Sequence, residues 1–233
     1  MGRILVGTSG YNYPEWKGAF YPDALPTSKM LPYYAERFPT VEINYTFYRL
    51  PNSKTVHGWA AATPAGFTFA LKASQRITHF QRLRDVEESV RFFCNMARLL
   101  EAKLGPLLFQ LPPSFRKDAA RLAGVLELIP ADLRAAFEFR HPTWFDDEVY
   151  GLLRAKNAAL CIVDHEDGAT PAVATADWGY FRLRAVEYSA EALARWAGTI
   201  RDLFGAEGAF VYFKHEDGAT GPPLARKLTE LLA

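Results

Sequence analysis

A chain of 233 residues with 27 Lys and Arg against 26 Asp and Glu carries a formal charge of only +1, so no global field draws it to nucleic acid or to an anionic membrane. Its composition, 49% hydrophobic, 14% aromatic and 23% charged, excludes a disordered chain and supplies enough apolar surface for a large core. The two cysteines, Cys94 and Cys161, each sit in an apolar stretch, which suits reduced buried thiols rather than a disulfide framework or a thiolate cluster.

In chain order, β-branched and aromatic runs alternate with helical patterns. A strand over Ile4 to Thr8 is followed by a helix over Ser28 to Phe38, a strand over Val41 to Tyr45 by a helix over Ser53 to Ala62. After a third strand, Phe67 to Ala73, the residues Val86, Val90, Phe93, Ala97, Leu100 and Leu104 mark one helical face, with Asp85 as its expected cap and Glu88 three residues on. Then come strand Pro106 to Leu111, helix Lys117 to Ile129, strand Ala135 to Arg140, helix Asp146 to Asn157 and strand Ala159 to Asp164. The next connection, Glu166 to Trp178, is rich in Gly, Pro, Ala and Thr and predicts a loop. Strand Gly179 to Arg184, helix Ala190 to Phe204, strand Ala209 to Lys214 and helix Pro223 to Leu232 complete the chain.

Eight strands in strict alternation predict parallel pairing through right-handed crossovers, and so one parallel (β/α)8 barrel of the TIM type over residues 1–233, with a loop in place of the sixth helix. An open doubly wound sheet is the alternative. The hexapeptide His-Glu-Asp-Gly-Ala-Thr occurs at 165–170 and again at 215–220, and reads as shared turn chemistry after two strands. The start, Met1 to Val6, turns polar at Thr8, too soon for a leader peptide, and no run reaches the roughly 18 apolar residues of a membrane span. A cytoplasmic protein is expected.

Side chains alternate faces along a strand, which sorts each run into a barrel-facing and a helix-facing set. On that reading Glu42, Asn44, Lys72, Leu108, Gln110, Glu138, Arg140, Ile162, Asp164, Tyr180, Arg182, Arg184, Tyr212 and Lys214 face inward. The polar members lie toward the strand C-termini, the end of a parallel barrel where sites form. Three acids (Glu42, Glu138, Asp164) and five bases (Lys72, Arg140, Arg182, Arg184, Lys214) would meet there, an excess of two positive charges. The bland alternative is a salt-bridged layer that only holds the fold; buried ion pairs stabilise little better than apolar packing, which favours a ligand site.

Rings follow several strands: Tyr11, Tyr13 and Trp16; Phe47 and Tyr48; Trp144 and Phe145. Rings at a rim stack a nucleobase or sugar, or pack loops onto the barrel. His79, His141, His165 and His215 each follow a strand and allow a divalent metal site, but no paired His motif is present, so no cofactor is expected. GxGxxG, P-loop and GxSxG motifs are absent too, which argues against dinucleotide binding, P-loop phosphoryl transfer and serine hydrolysis.

Four stretches in order, Gly7 to Tyr13 with Trp16, Gly18 and Phe20 to Pro22; Val41 to Tyr48 with Pro51; Gly105 to Pro113 with Phe115; and Glu138 to Pro142 with Trp144, together resemble the YecE-like family, also called domain of unknown function 72. The resemblance implies a TIM-like barrel and no established activity. In that family a His-Gly pair commonly follows the seventh-strand arginine, where this chain has Leu183-Arg184-Ala185, and Phe-Asn-Asn is common in strand eight, where it has Phe213-Lys214-His215, so the resemblance carries no role for Arg184, Lys214 or His215.

The functional expectation is an enzyme for a phosphate-bearing or otherwise anionic substrate: a nucleotide, sugar phosphate or nucleic-acid end. Glu42 and Glu138 are the candidate acid and base, Asn44, Lys72, Gln110, Arg140, Arg182, Tyr11 and Trp144 the candidate ligand contacts. A glycosidase-like use of the two glutamates is a weaker variant. A non-catalytic nucleic-acid or metabolite-binding barrel is the rival from another class, and a metal-dependent phosphodiesterase a third option.

Overall fold

The computed structural model describes residues 2–165, 168–214 and 219–233. Its chain order is β1 (Ile4–Ser9), α1 (Met30–Ala35), β2 (Thr40–Ile43), α2 (Tyr45–Tyr48), α3 (Ser53–Ala61), β3 (Thr68–Lys72), α4 (Glu87–Ala97), β4 (Leu104–Gln110), α5 (Ala119–Leu128), β5 (Ala135–Glu138), α6 (Asp147–Ala155), β6 (Ala159–His165), β7 (Gly168–Ala169), β8 (Gly179–Leu183), α7 (Ala190–Phe204), β9 (Ala209–Phe213) and α8 (Gly221–Leu232). All strands except β7 pair in parallel, and β5 pairs with β6 while β1 pairs with β9, so eight strands close into a barrel. Closure removes the open-sheet alternative. The short β7 folds back antiparallel on β6, and among the described residues of that connection there is no helix.

The alternation of the strands divides the apolar residues into two bodies. The larger lies between sheet and helices and takes Val41, Phe69, Phe109, Phe137, Ile162, Phe181 and Val211 from successive strands. The smaller fills the barrel: Leu5, Ala70, Leu108, Ala136, Cys161, Val163, Trp178, Tyr180, Phe210 and Tyr212. Tyr212 and Thr40 share a hydroxyl hydrogen bond at 2.8 Å across this interior. Polar atoms so deep must be paired, and these two satisfy each other.

Several local expectations need correction. Asp85 is not the cap of α4; it lies in a left-handed conformation (φ 53°), and Val86 takes the cap position without a side-chain bond. The helical period also overran its helix. After Ala97 the chain tightens into a 3₁₀ segment, Arg98–Lys103, broken at Glu101 (φ 52°, ψ −127°), and Leu104 opens β4 instead. The second strand ends at Ile43, because Asn44 to Tyr48 turn helically rather than extend. No helix among the described residues is long and apolar enough to cross a membrane.

Candidate functional site

Six strands deliver polar residues to one end of the barrel. Ser9, Lys72, Gln110 and Glu138 are the last residues of β1, β3, β4 and β5, and Glu42 and Arg182 are the next to last of β2 and β8. At the centre lies Arg182, 1% exposed. Its Nη2 donates to Glu42 Oε1 at 2.9 Å, its Nη1 to Glu138 Oε2 at 2.6 Å, and both acids are fully buried.

The remaining oxygen positions of both acids are taken. Glu42 Oε1 also accepts from the Ser9 hydroxyl, and Oε2 accepts from the Tyr180 hydroxyl at 2.6 Å. Gln110 Nε2 reaches both oxygens of Glu138 at 2.8 Å, and Arg140 Nε donates to Oε1 at 2.9 Å. Arg184 Nη1 stands 4.0 Å from the same Oε1. Burial by itself would raise the pKa of Glu138; the guanidiniums of Arg182 and Arg140 outweigh it and hold the carboxyl well below its usual range. So held, the carboxylate stays ionised near neutrality and engages both Arg182 and Arg140.

Lys72 differs from its neighbours. It is 8% exposed, and among the described residues no hydrogen bond or ion pair engages its ammonium, which instead lies 3.9 Å from the centroid of the Phe47 ring. The placement of that ring is a local matter: Thr46 Oγ1 donates to the Lys72 carbonyl at 2.6 Å, pinning the one-turn α2 onto the end of β3. Burial pulls the Lys72 pKa down to about 7, Arg182 and Arg140 pull the same way, and Glu138 and Glu42 oppose them. His79 stands edge-on to the same Phe47 ring, 4.9 Å between centroids at 83°, with Thr78 Oγ1 2.9 Å from its Nδ1. Burial, with Lys72 and Arg140, lowers its pKa to about 4, so the imidazole is neutral at pH 7.

Ser9 is the residue that sequence reasoning missed. Its hydroxyl donates to Glu42 and accepts from Asn44 Nδ2 at 2.8 Å and Arg182 Nη2 at 3.2 Å, so one small side chain links three expected site residues. The signal was available: Leu5 faces the interior, and Gly7 and Ser9 share its parity. Beside Ser9, Gly10 turns the chain at φ 89° and donates its N–H to the Glu42 carbonyl at 2.8 Å; a Cβ there would come within 2.2 Å of the Tyr13 hydroxyl.

That turn opens a side cavity of about 310 Å³, lined by Tyr11, Tyr13, Asn44, Tyr45, Thr55 and Trp59 among others. Tyr11 thus stands where a rim ring was expected, its hydroxyl pKa raised by burial. Asn44 borders both the cavity and the charged cluster, and among the described residues its Oδ1 is buried with no hydrogen-bond partner.

Two expected members do not join. Trp144 is fully buried; its indole N–H donates to the Phe115 carbonyl at 2.7 Å and its ring stacks on Phe139 at 4.7 Å and 10°, so it fastens a loop to the barrel wall. Asp164 points outward and accepts from the Trp196 indole of α7 at 2.9 Å, because Cys161 and Val163 are the interior residues of β6. Ile162 likewise belongs to the outer core. Lys214, at the exit of β9, is half-buried. The His215 position and much of the hexapeptide repeat lie outside the described residues, as does the side chain of His165. Among the described residues no three His, Cys, Asp or Glu side chains are grouped to hold a metal ion.

The cluster therefore sets Glu42 and Glu138 against Arg182, Arg140, Arg184 and Lys72. The side chains of Arg140 and Arg184 remain 29% and 25% exposed. Burial and Arg182 both lower the pKa of Arg184, a sign of crowding among like charges.

The model for "Protein of unknown function DUF72" matches residues 5–233. Over 155 residues, 63% of the chain, it is 30% identical to UPF0759 protein YunF of Bacillus subtilis, covering 54% of that protein. Over 143 residues, 61% of the chain, it is 29% identical to UPF0759 protein YecE of Escherichia coli, covering 50% of it. The chain spans about half the length of these curated relatives. A crystal structure of a DUF72 family protein from Thermotoga maritima superposes with a TM-score of 0.86 at 27% identity, covering 99% of both chains. One from Enterococcus faecalis gives 0.84 at 20% identity over 98% and 95%, a likeness of fold. With its family model matched almost from end to end, the chain belongs to the DUF72 family.

Proposed function

We propose that the C-terminal mouth of the barrel binds a small anionic substrate, a nucleotide, sugar phosphate or nucleic-acid end, and acts on it as an enzyme. One observation carries the reading. The single carboxylate of Glu138 is shared by Arg182 and Arg140 and approached by Arg184 at 4.0 Å, so among the described residues these three guanidiniums outnumber the two carboxylates, Glu42 and Glu138, that meet them. Arginines held by their inner edges with outer parts exposed suit bidentate capture of phosphate or carboxylate. The adjoining ring-lined cavity of about 310 Å³ gives the uncharged part of such a ligand a place to stack.

A binding module without turnover would use the same arginines. What favours chemistry is Lys72, an amine whose pKa burial pulls down to about 7 and which among the described residues has no carboxylate partner.

A thermal-shift screen of wild type and Arg140→Ala against phosphorylated metabolites, nucleotides, short oligonucleotides and neutral sugars tests the reading. A ligand present at about 100 times its dissociation constant adds about 2.7 kcal/mol of stability. Stabilisation by one anionic class, lost in Arg140→Ala, is the expected result. Stabilisation by none of the anionic classes rejects it.

A further inference from the structure

We propose that Lys72 is a nucleophilic amine that forms a reversible imine with a carbonyl group carried by the anionic substrate, within reach of the arginines at the mouth. This rests on the anionic-substrate reading above and adds the functional group that reacts.

A lysine at the end of a barrel strand has three ordinary uses: a structural ion pair, a phosphate clamp, or a nucleophile. Among the described residues the first is not made: the oxygens of Glu42 and Glu138 are already occupied by Arg182, Arg140, Gln110, Ser9 and Tyr180. The second does not require this lysine. Here an amine 8% exposed is set among Arg182 and Arg140, and its pKa of about 7 leaves a large neutral fraction at physiological pH. Arg140 and Arg184 already offer permanent charge for an anion.

The third use fits the surroundings. Thr46 anchors α2 so that Phe47 covers the amine on one side, excluding water there, and the neutral His79 imidazole packs against the same ring. A desolvated lysine beside other cations is the arrangement that activates an amine toward carbonyl carbon.

The step balances without a redox partner. The Nζ lone pair attacks the carbonyl carbon, forming a C–N bond as the π pair moves to oxygen. The carbinolamine then loses that oxygen as water, and the two hydrogens of the water derive from the amine. The product is an imine, protonated when it takes one further proton from solvent; hydrolysis reverses the step.

Glycolaldehyde phosphate, with sodium borohydride to reduce any imine to a stable secondary amine, tests this on the full chain at pH 7, the modified residue being located by peptide mass mapping. Uncharged glycolaldehyde and competition by inorganic phosphate are the controls. The expected result is modification at Lys72 about tenfold above any other lysine, with the phosphate ester favoured over glycolaldehyde and suppressed by phosphate. Lys72→Arg, which keeps a cation but cannot form an imine, loses that adduct. Modification spread evenly over the lysines, while anionic ligands still stabilise the protein, overturns the imine and leaves the anion reading intact. Preferential modification of Lys72 by both aldehydes alike, insensitive to phosphate, keeps the reactive amine and removes the anionic substrate.

Discussion

Arg182 and Glu138 meet at 2.6 Å although their strands, β8 and β5, are not neighbours; β6 runs between them, so the bond crosses the barrel interior. It is a tertiary clamp as well as a part of the site, and each partner is about 1% exposed. Breaking such a pair on one side leaves a buried charge without compensation.

Arg182→Met is therefore expected to lower unfolding free energy by about 3–5 kcal/mol, because both Glu42 and Glu138 lose their common partner. Adding Glu138→Gln to that variant relieves part of the loss, so the double variant is more stable than the sum of the singles predicts. Urea denaturation at pH 7 measures all three. Additive effects would mean that the interaction contributes nothing.

The pH dependence of Lys72 has a definite sign. Its folded pKa, about 7, lies below the ordinary 10.5, so between those values the unfolded chain binds more protons than the native one, and stability from this group rises with pH. The penalty is full below pH 7 and disappears by pH 10.5. Lys72→Met is thus expected to be more stable than wild type by about 1–3 kcal/mol at pH 6, the gain shrinking as pH is raised toward 10. A pH-independent difference in denaturation midpoints would contradict this.

Ser9→Ala removes one donor and one acceptor from a buried junction. The loss leaves Asn44 Nδ2 without its partner and Glu42 with one bond fewer, and is expected to lower stability by about 1–3 kcal/mol. Restoration by Ser9→Thr would be limited by crowding in a closed interior; the calorimetric melting point of both variants is the measurement.

Trp144 and Arg140 should separate packing from recognition. Trp144→Phe loses the bond to the Phe115 carbonyl and opens a small void, lowering stability by about 1–3 kcal/mol while preserving any ligand-induced shift. Arg140→Ala is expected to do the reverse. Loss of the ligand shift in Trp144→Phe would return Trp144 to the rim.

The fold was legible because alternation of short apolar runs with helical periods is a long-range pattern that single errors do not disturb. The charged end was legible where strands alternate plainly, as in β2, with Glu42 between Val41 and Ile43, and in β5, with Glu138 after Phe137. It failed in β6, where Ala-Leu-Cys-Ile-Val is apolar throughout and offers no parity, so Asp164 was assigned to the wrong face. Ser9 was lost by a boundary: ending the first strand at Thr8 removed the residue that joins Glu42, Asn44 and Arg182. The overrun of α4 has a similar cause, since Leu100 and Leu104 keep the helical period across a backbone break that only the left-handed Glu101 reveals. Trp144 was misread because a ring after a strand looks alike in sequence whether it lines a mouth or seals a wall.

The apolar filling of the barrel also has a kinetic meaning. Leu5, Trp178 and Phe210, with Tyr180 and Tyr212 above them, leave the interior packed beneath the charged cluster. The molecule is a cup and not a conduit, so whatever enters at the strand C-termini leaves through the same doorway. On the proposed reading, a spent ligand that keeps its anionic group competes with the next arrival for the same arginines, and turnover slows as product accumulates even while fresh substrate remains.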